Sequence, residues 1–170
     1  MAASLAVART TLAATGIGPT IKWPNDVHVK GRKIGGILIE SRMQRGQPQY
    51  AIVGIGININ FDTSSYPEVA SSATSLLHES GHHFSRLEFL LNLLTELEQL
   101  YMTLDDTDVV RQEWISLLET LGQQVQVWWR GRMEEGLALD VDIDGNLMLQ
   151  RQDDSVITVS VGDVTLRGVG

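Results

Sequence analysis

Two lysines, an Asn-Asp pair and a Gly-Gly crowd into one short stretch of this chain. Lys22-Trp23-Pro24-Asn25-Asp26 is followed closely by Gly31-Arg32-Lys33-Ile34-Gly35-Gly36-Ile37-Leu38-Ile39-Glu40. Ammonium groups attract anions, and glycine lets a ligand approach bare backbone, so the segment suits the holding of an anionic ligand. Lys33 leads a run that is otherwise apolar or glycine. It either points into a ligand pocket, which Gly35 and Gly36 favour, or stands exposed beside a bulge. Asn25 and Asp26 serve as turn residues. Alternatively, Asp26 is a carboxylate that orients Lys33 or organises a metal–phosphate complex. Lys22 is open between a site cation and a solvated strand residue.

Gly54-Ile55-Gly56-Ile57-Asn58 looks like half of a dinucleotide fingerprint. A third glycine and a helix opening after it are both wanting, so that assignment fails. The glycines instead let a planar group lie on a strand, with Asn58 offering a donor and an acceptor. His78, His82 and His83 read as solvated loop residues, because adjacent histidines do not face one metal and no carboxylate sits at ligand spacing. Trp128 and Trp129 are assigned to core and surface of a small barrel, and Arg130-Gly131-Arg132 to a hairpin turn. Glu96, Glu98, Asp105, Asp106 and Asp108 form a solvated face.

The elements that must position these groups follow from pattern. Residues 2–15 predict a helix packed through Leu5, Ala8 and Leu12, with Gly16 near its C-cap. Residues 20–23 are extended, and Pro24 keeps Trp23 out of the helical region. Strands over residues 27–29, 33–43 and 50–59, separated by turns at 30–31 and 44–48, predict an antiparallel meander. Residues 61–84, rich in Ser and Thr, read as loop. Ser85-Arg86-Leu87-Glu88 is a capping box that opens a helix to about residue 104, apolar through Leu87, Leu90, Leu91, Leu94, Leu97 and Tyr101. A second helix over residues 108–120 carries Val109, Trp114, Leu117 and Leu118. Short strands at 125–129, 134–143, 147–151 and 156–161, with a hairpin at Asp144-Gly145-Asn146, predict a small barrel. The domain boundary falls near residue 121, giving units 1–120 and 121–170.

The 170 residues include no cysteine and carry a net charge of −8. That excludes disulfides, thiolate metal sites and a cysteine nucleophile. A broad acidic surface repels nucleic acid and anionic lipid, while small anions still bind where cations converge. No apolar run is long enough to span a membrane, and the Ala-rich start lacks the basic region of a signal peptide. The expectation is a cytoplasmic protein bound to neither DNA nor membrane.

Taken in order, these segments resemble the biotin protein ligases. Ala73-Thr74-Ser75-Leu76 and the ending Thr165-Leu166-Arg167 extend the likeness across nearly the whole chain. The resemblance implies an α+β fold of class II synthetase type, with a mixed or antiparallel sheet flanked by helices and an SH3-like small barrel at the C-terminus. It implies ATP-dependent attachment of biotin to a lysine of a biotin carboxyl carrier protein, usually that of acetyl-CoA carboxylase. Biotinyl-5'-AMP is the intermediate, and magnesium neutralises the phosphates. Lys33 matches the family's catalytic lysine, which touches biotin and the reacting phosphate, and Asp26 an active-site carboxylate. Gly36 and Leu38 match biotin-pocket positions. Asn25 and Asn58 match nucleotide-binding residues, and Arg167 a C-terminal arginine that helps to hold ATP.

Members of that family carry further catalytic-domain residues ahead of the point matching Met1, including a Gly-Arg-Gly-Arg-Arg-Gly-like loop that closes over the adenylate. Two expectations follow. The chain is part of a ligase whose activity belongs to a longer protein, or it is a noncatalytic fragment acting as a nucleotide- or partner-binding module. Pairing of two copies, through sheet edges or the small domain, is left open.

Overall fold

The computed structural model of the chain describes residues 1–45, 47–104, 107–160 and 162–166. The expectations placed on Asp105, Asp106, Val161 and Arg167 therefore lie outside the described residues.

Helix α1 spans Ala2–Thr15 and ends, as its glycine predicts, at Gly16 in the left-handed region (φ 70°). Strands β1 (Thr20–Lys22), β2 (Asp26–Val29), β3 (Arg32–Gln44) and β4 (Gln47–Ile57) make a four-stranded antiparallel sheet in that order. Asp26 begins β2 rather than belonging to the turn, because it pairs with both Lys22 and Gly36. Lys30 and Gly31 form the β2–β3 turn with positive φ, a conformation that suits the twist of a tight hairpin.

Residues 61–84 are not the plain loop expected. They hold a 3₁₀ turn (Thr63–Ser65) and two short helices, α2 (Pro67–Ala70) and α3 (Leu76–Ser80), the last capped by the Ser75 hydroxyl. Helices this short show almost no periodicity, so composition alone hides them. Helix α4 (Arg86–Met102) begins at the expected cap, with the Ser85 hydroxyl accepting from the Glu88 N–H at 3.2 Å. Its buried face differs from the one predicted. Phe89, Leu93 and Leu100 are buried, while Leu87, Leu90, Leu91, Leu94 and Tyr101 are exposed. The helix is apolar on two sides, and packing against α1 selects the narrower one. Helix α5 (Thr107–Ser116) ends four residues earlier than expected, and it buries Val110 and Trp114 while exposing Val109.

The C-terminal part forms a five-stranded antiparallel sheet of β5 (Gln124–Trp129), β6 (Arg132–Val141), β7 (Leu147–Gln150), β8 (Val156–Val159) and β9 (Asp163–Leu166), ordered β8-β7-β6-β5-β9. Gly145 supplies the positive φ of the β6–β7 turn, and the Asp142 carboxylate accepts from Asn146 and Asp144 to close it.

One core runs through both sheets, from Leu5, Ile21 and Trp23 to Trp114, Val125, Leu147 and Val159. Polar ties reinforce it. The buried Trp23 indole donates to the Gly145 carbonyl at 2.9 Å. Arg111 donates to the carbonyls of Val141 and Asp142. Arg9 bridges Glu96 of α4 and Glu113 of α5. No described helix is long and apolar enough to cross a membrane.

Candidate active site

The strands explain why the sequence clusters its chemistry. The turn at Trp23, Pro24 and Asn25 folds back on β3: the Asn25 amide donates to the Ile37 carbonyl, and the Ile37 N–H donates to the Asn25 carbonyl. The Trp23–Pro24 peptide is cis. This crossing sets Asp26 opposite Gly36, and Lys33 then reaches across, its Nζ 2.7 Å from Asp26 Oδ1.

Gly36 leaves room for that pair. A Cβ there would sit 3.1 Å from Asp26 Oδ1 and equally close to Lys33 Cε and Nζ. A methyl group would have to displace one partner or both. Gly35 has a different reason: its Cβ would lie 2.7 Å from the Gly56 carbonyl oxygen, inside any normal contact. At Gly56, by contrast, the space a Cβ would enter is open. Of the two reasons a strand keeps glycine, bare backbone beside a ligand space fits Gly56, while Gly36 keeps room for an ion pair.

The segment after α2 fixes Lys33 from the other side. The Lys33 N–H donates to the Ser72 carbonyl at 2.9 Å, and the Thr74 N–H donates to the Lys33 carbonyl at 2.8 Å. Ala73 thereby lies beside Lys33 in a parallel bridge. The Asn58 side-chain amide donates to the Thr74 carbonyl. Glu79 locks the segment, accepting from the Thr74 hydroxyl and pairing with Arg32 (2.5 Å) and Lys30 (3.0 Å). Burial pushes the Glu79 carboxyl up, but the hydrogen bonds from Thr74 and Lys30 and the charge of Arg32 outweigh it and leave its pKa lowered. Further along β2, His28 Nδ1 lies 2.7 Å from Glu119 Oε1. The His28 contact is the largest cause holding the Glu119 carboxyl low, with burial opposing it and the Thr20 hydroxyl and Lys22 charge assisting.

The Lys33–Asp26 pair and the glycines around it line a cleft of about 1240 Å³. One wall is the β1–β4 sheet, with Lys22, Asn25, Asp26, Lys33, Gly36, Leu38 and Asn58. Leu38 is 65% exposed, and Lys33 keeps 43% of its side chain open to solvent. The other wall comes from the β5–β9 sheet, where Arg167 alone was expected to contribute: Trp128, Trp129 and Arg130 from the β5 end, with Gly162, Val164 and Thr165. Trp128 is 53% exposed, and the Arg130 guanidinium stacks 4.4 Å from the Trp129 ring centre. An aromatic pair followed by a cation at a hairpin tip was the available signal. The structure thus gathers every site residue expected from sequence except Arg167, which lies outside the described residues. His78 is elsewhere, bonded to Thr63, and His82 packs on Phe84.

Such a cleft can hold an anion against Lys33, beside a strip of glycine backbone, with Asp26 fixing the ammonium. Among the described residues Lys22, Lys33 and Arg130 oppose Asp26 there, so this lining is cationic on a chain of net charge −8.

Comparison with known proteins follows the same lines. Residues 2–58 match the Biotin/lipoate A/B protein ligase family. The chain is 34% identical over 155 residues to the bifunctional ligase/repressor BirA of Bacillus spizizenii, covering 89% of this chain and 47% of that protein. It is 32% identical over 169 residues to the biotin–[acetyl-CoA-carboxylase] ligase of Mycobacterium tuberculosis, covering 96% of this chain and 60% of the relative. The chain therefore spans about half the length of the curated relatives it matches. Among solved structures, the biotin protein ligase from Aquifex aeolicus, in complex with biotin and ATP, superposes with a TM-score of 0.80 at 24% identity, covering 98% of this chain and 69% of that one. At that identity the match establishes the fold.

Proposed function

From the premise that this chain carries the Biotin/lipoate A/B protein ligase family domain at residues 2–58, we propose that it contributes the cleft of an ATP-dependent biotin–protein ligase. The observation that carries the proposal is the Lys33–Asp26 pair at 2.7 Å, seated over Gly36 in a cationic cleft.

The first step brings two anions together. A biotin carboxylate oxygen attacks the α-phosphorus of ATP, the bond from that phosphorus to the bridging oxygen breaks, and pyrophosphate leaves with the electron pair. Lys33 offsets the repulsion and stabilises the charge as it develops. Asp26 holds the ammonium in place, so little reorganisation is needed during reaction. In the second step a neutral lysine amine of a carrier domain attacks the acyl carbon of biotinyl-5'-AMP. The bond from that carbon to the phosphate oxygen breaks, AMP departs with the electron pair, and the nitrogen loses its surplus proton to solvent. In this assignment Gly36 and Leu38 border biotin, while Asn25, Asn58 and Arg167 border the nucleotide. Magnesium would arrive on the triphosphate. Asp26, a carboxylate lining the cleft, is the residue that would help hold it there, where it would neutralise phosphate charge.

The acceptor is the biotin carboxyl carrier protein of acetyl-CoA carboxylase, by likeness to the named relatives. The acidic surface supports action in the cytoplasm without DNA. The unit boundary is placed near residue 121, between the segment that covers β1 and the start of β5.

The test supplies ATP, labelled biotin and a carrier domain to this chain and to a fusion of it with the segment that precedes the match in a relative. Labelled carrier is expected, and Lys33→Ala should reduce adenylate formation by about 10²–10³-fold, the usual loss for one preorganised donor. Saturable ATP binding without transfer in either form would make the chain a binding module instead.

A further inference from the structure

The β5–β6 hairpin places in the cleft a cation that the fold itself does not require. Arg130 and Gly131 form the turn, with φ of 50° and 76°. Asn or Gly serves such a turn at lower cost than arginine. Among the described residues Arg130 has no carboxylate partner, whereas Arg9, Arg32, Arg132 and Arg151 each pair with a glutamate. Its guanidinium lies over the Trp129 ring, 4.4 Å from the ring centre. Stacking occupies the face of the guanidinium and leaves its N–H edge free. A planar donor fork, held on an indole and unpaired, matches two oxygens of a phosphate better than it matches a single charge. Lys33 lines the same cleft from the opposite sheet.

We propose that Arg130 binds the terminal phosphates of the nucleotide and so selects a triphosphate over a monophosphate, with Trp129 as its positioning residue. This rests on the ligase assignment. When the α-phosphorus–oxygen bond breaks, the leaving pyrophosphate gains charge at the bridging oxygen, and Arg130 stabilises that charge while Lys33 stays with the α-phosphate. After pyrophosphate departs, Arg130 has no hold on AMP, which leaves the adenylate end free for the second step.

Calorimetric titration of this chain with ATP, AMP and inorganic pyrophosphate tests the assignment. Arg130→Asn is the first variant, since asparagine tolerates the left-handed backbone and keeps the turn. It should weaken ATP and pyrophosphate by about tenfold, the ordinary worth of a charge-assisted pair. AMP should change by less than about twofold, as expected for a distant screened charge. Arg130→Lys and Trp129→Leu should fall between wild type and Arg130→Asn. Equal weakening of ATP and AMP would reduce Arg130 to general field, and unchanged ATP and pyrophosphate would remove it from the site. A loss confined to carrier-domain affinity would assign the hairpin to the protein substrate. If the wild-type chain binds ATP and the variants match it, this inference alone fails; if neither the wild-type chain nor its fusion to the preceding segment of a relative binds ATP, with or without biotin, the ligase assignment fails with it.

Discussion

Gly36 shows how a single missing methyl group shapes a reactive pair. Alanine there would crowd Lys33 and Asp26 at 3.1 Å, and the flexible lysine is the partner that can yield. Gly36→Ala should therefore cut adenylate formation by about tenfold or more, yet cost at most about 1 kcal/mol of stability. Pyrophosphate exchange and urea denaturation measured together would show it; a large stability loss with unchanged exchange would mean that the glycine serves only the sheet. Glu119 gives a pH signature. Its carboxyl is held below the ordinary glutamate range, so its contribution to stability is complete above that range and fades as pH falls through its folded-state value. Wild type and Glu119→Gln should differ in urea midpoint at neutral pH and converge in acid, and a constant gap would exclude the link. Lys33, Asp26 and the glycines were legible because their types are out of place in an apolar strand. The contacts of Arg130 and Trp129 were not, since no local pattern reports which face of a hairpin meets another sheet.

At the scale of elements, strand pairing carries the geometry. Gly35→Ala would press a Cβ against the Gly56 carbonyl oxygen, and backbone does not yield as a side chain does. It should cost about 1–3 kcal/mol, in the range of overpacking, and lower the melting temperature more than Gly36→Ala does. Ser85→Ala, which removes the α4 cap, should cost about 1 kcal/mol without touching nucleotide binding. Denaturation of both variants would rank them, and the reverse order would contradict the pairing. The meander, the first helix, the Ser85 cap and the Gly145 turn were all readable, because each depends on neighbours in sequence. The packed face of α4 was not: leucine occupies both sides, and only the presence of α1 decides between them. The short helices α2 and α3 escaped for want of length, although they hold the strand-like segment at Ala73 against Lys33.

At the scale of the whole molecule, both sheets share polar ties and one core. The buried Trp23, one residue from the cis proline and three from Asp26, donates to Gly145 in the other sheet, and the apolar core is continuous between them. Unfolding should therefore be one calorimetric transition; two resolved transitions would show that the sheets melt separately. Trp23→Phe removes the indole donor, strands a carbonyl, and should cost about 1–3 kcal/mol while shifting that transition as a unit. A cleft with a wall from each sheet has a practical corollary. Any compound that fills it grips both sheets at once, so occupancy must raise the melting point of the entire chain. A dye-based thermal screen then becomes a substrate-discovery assay, able to rank vitamins, nucleotides and their analogues without a coupled reaction.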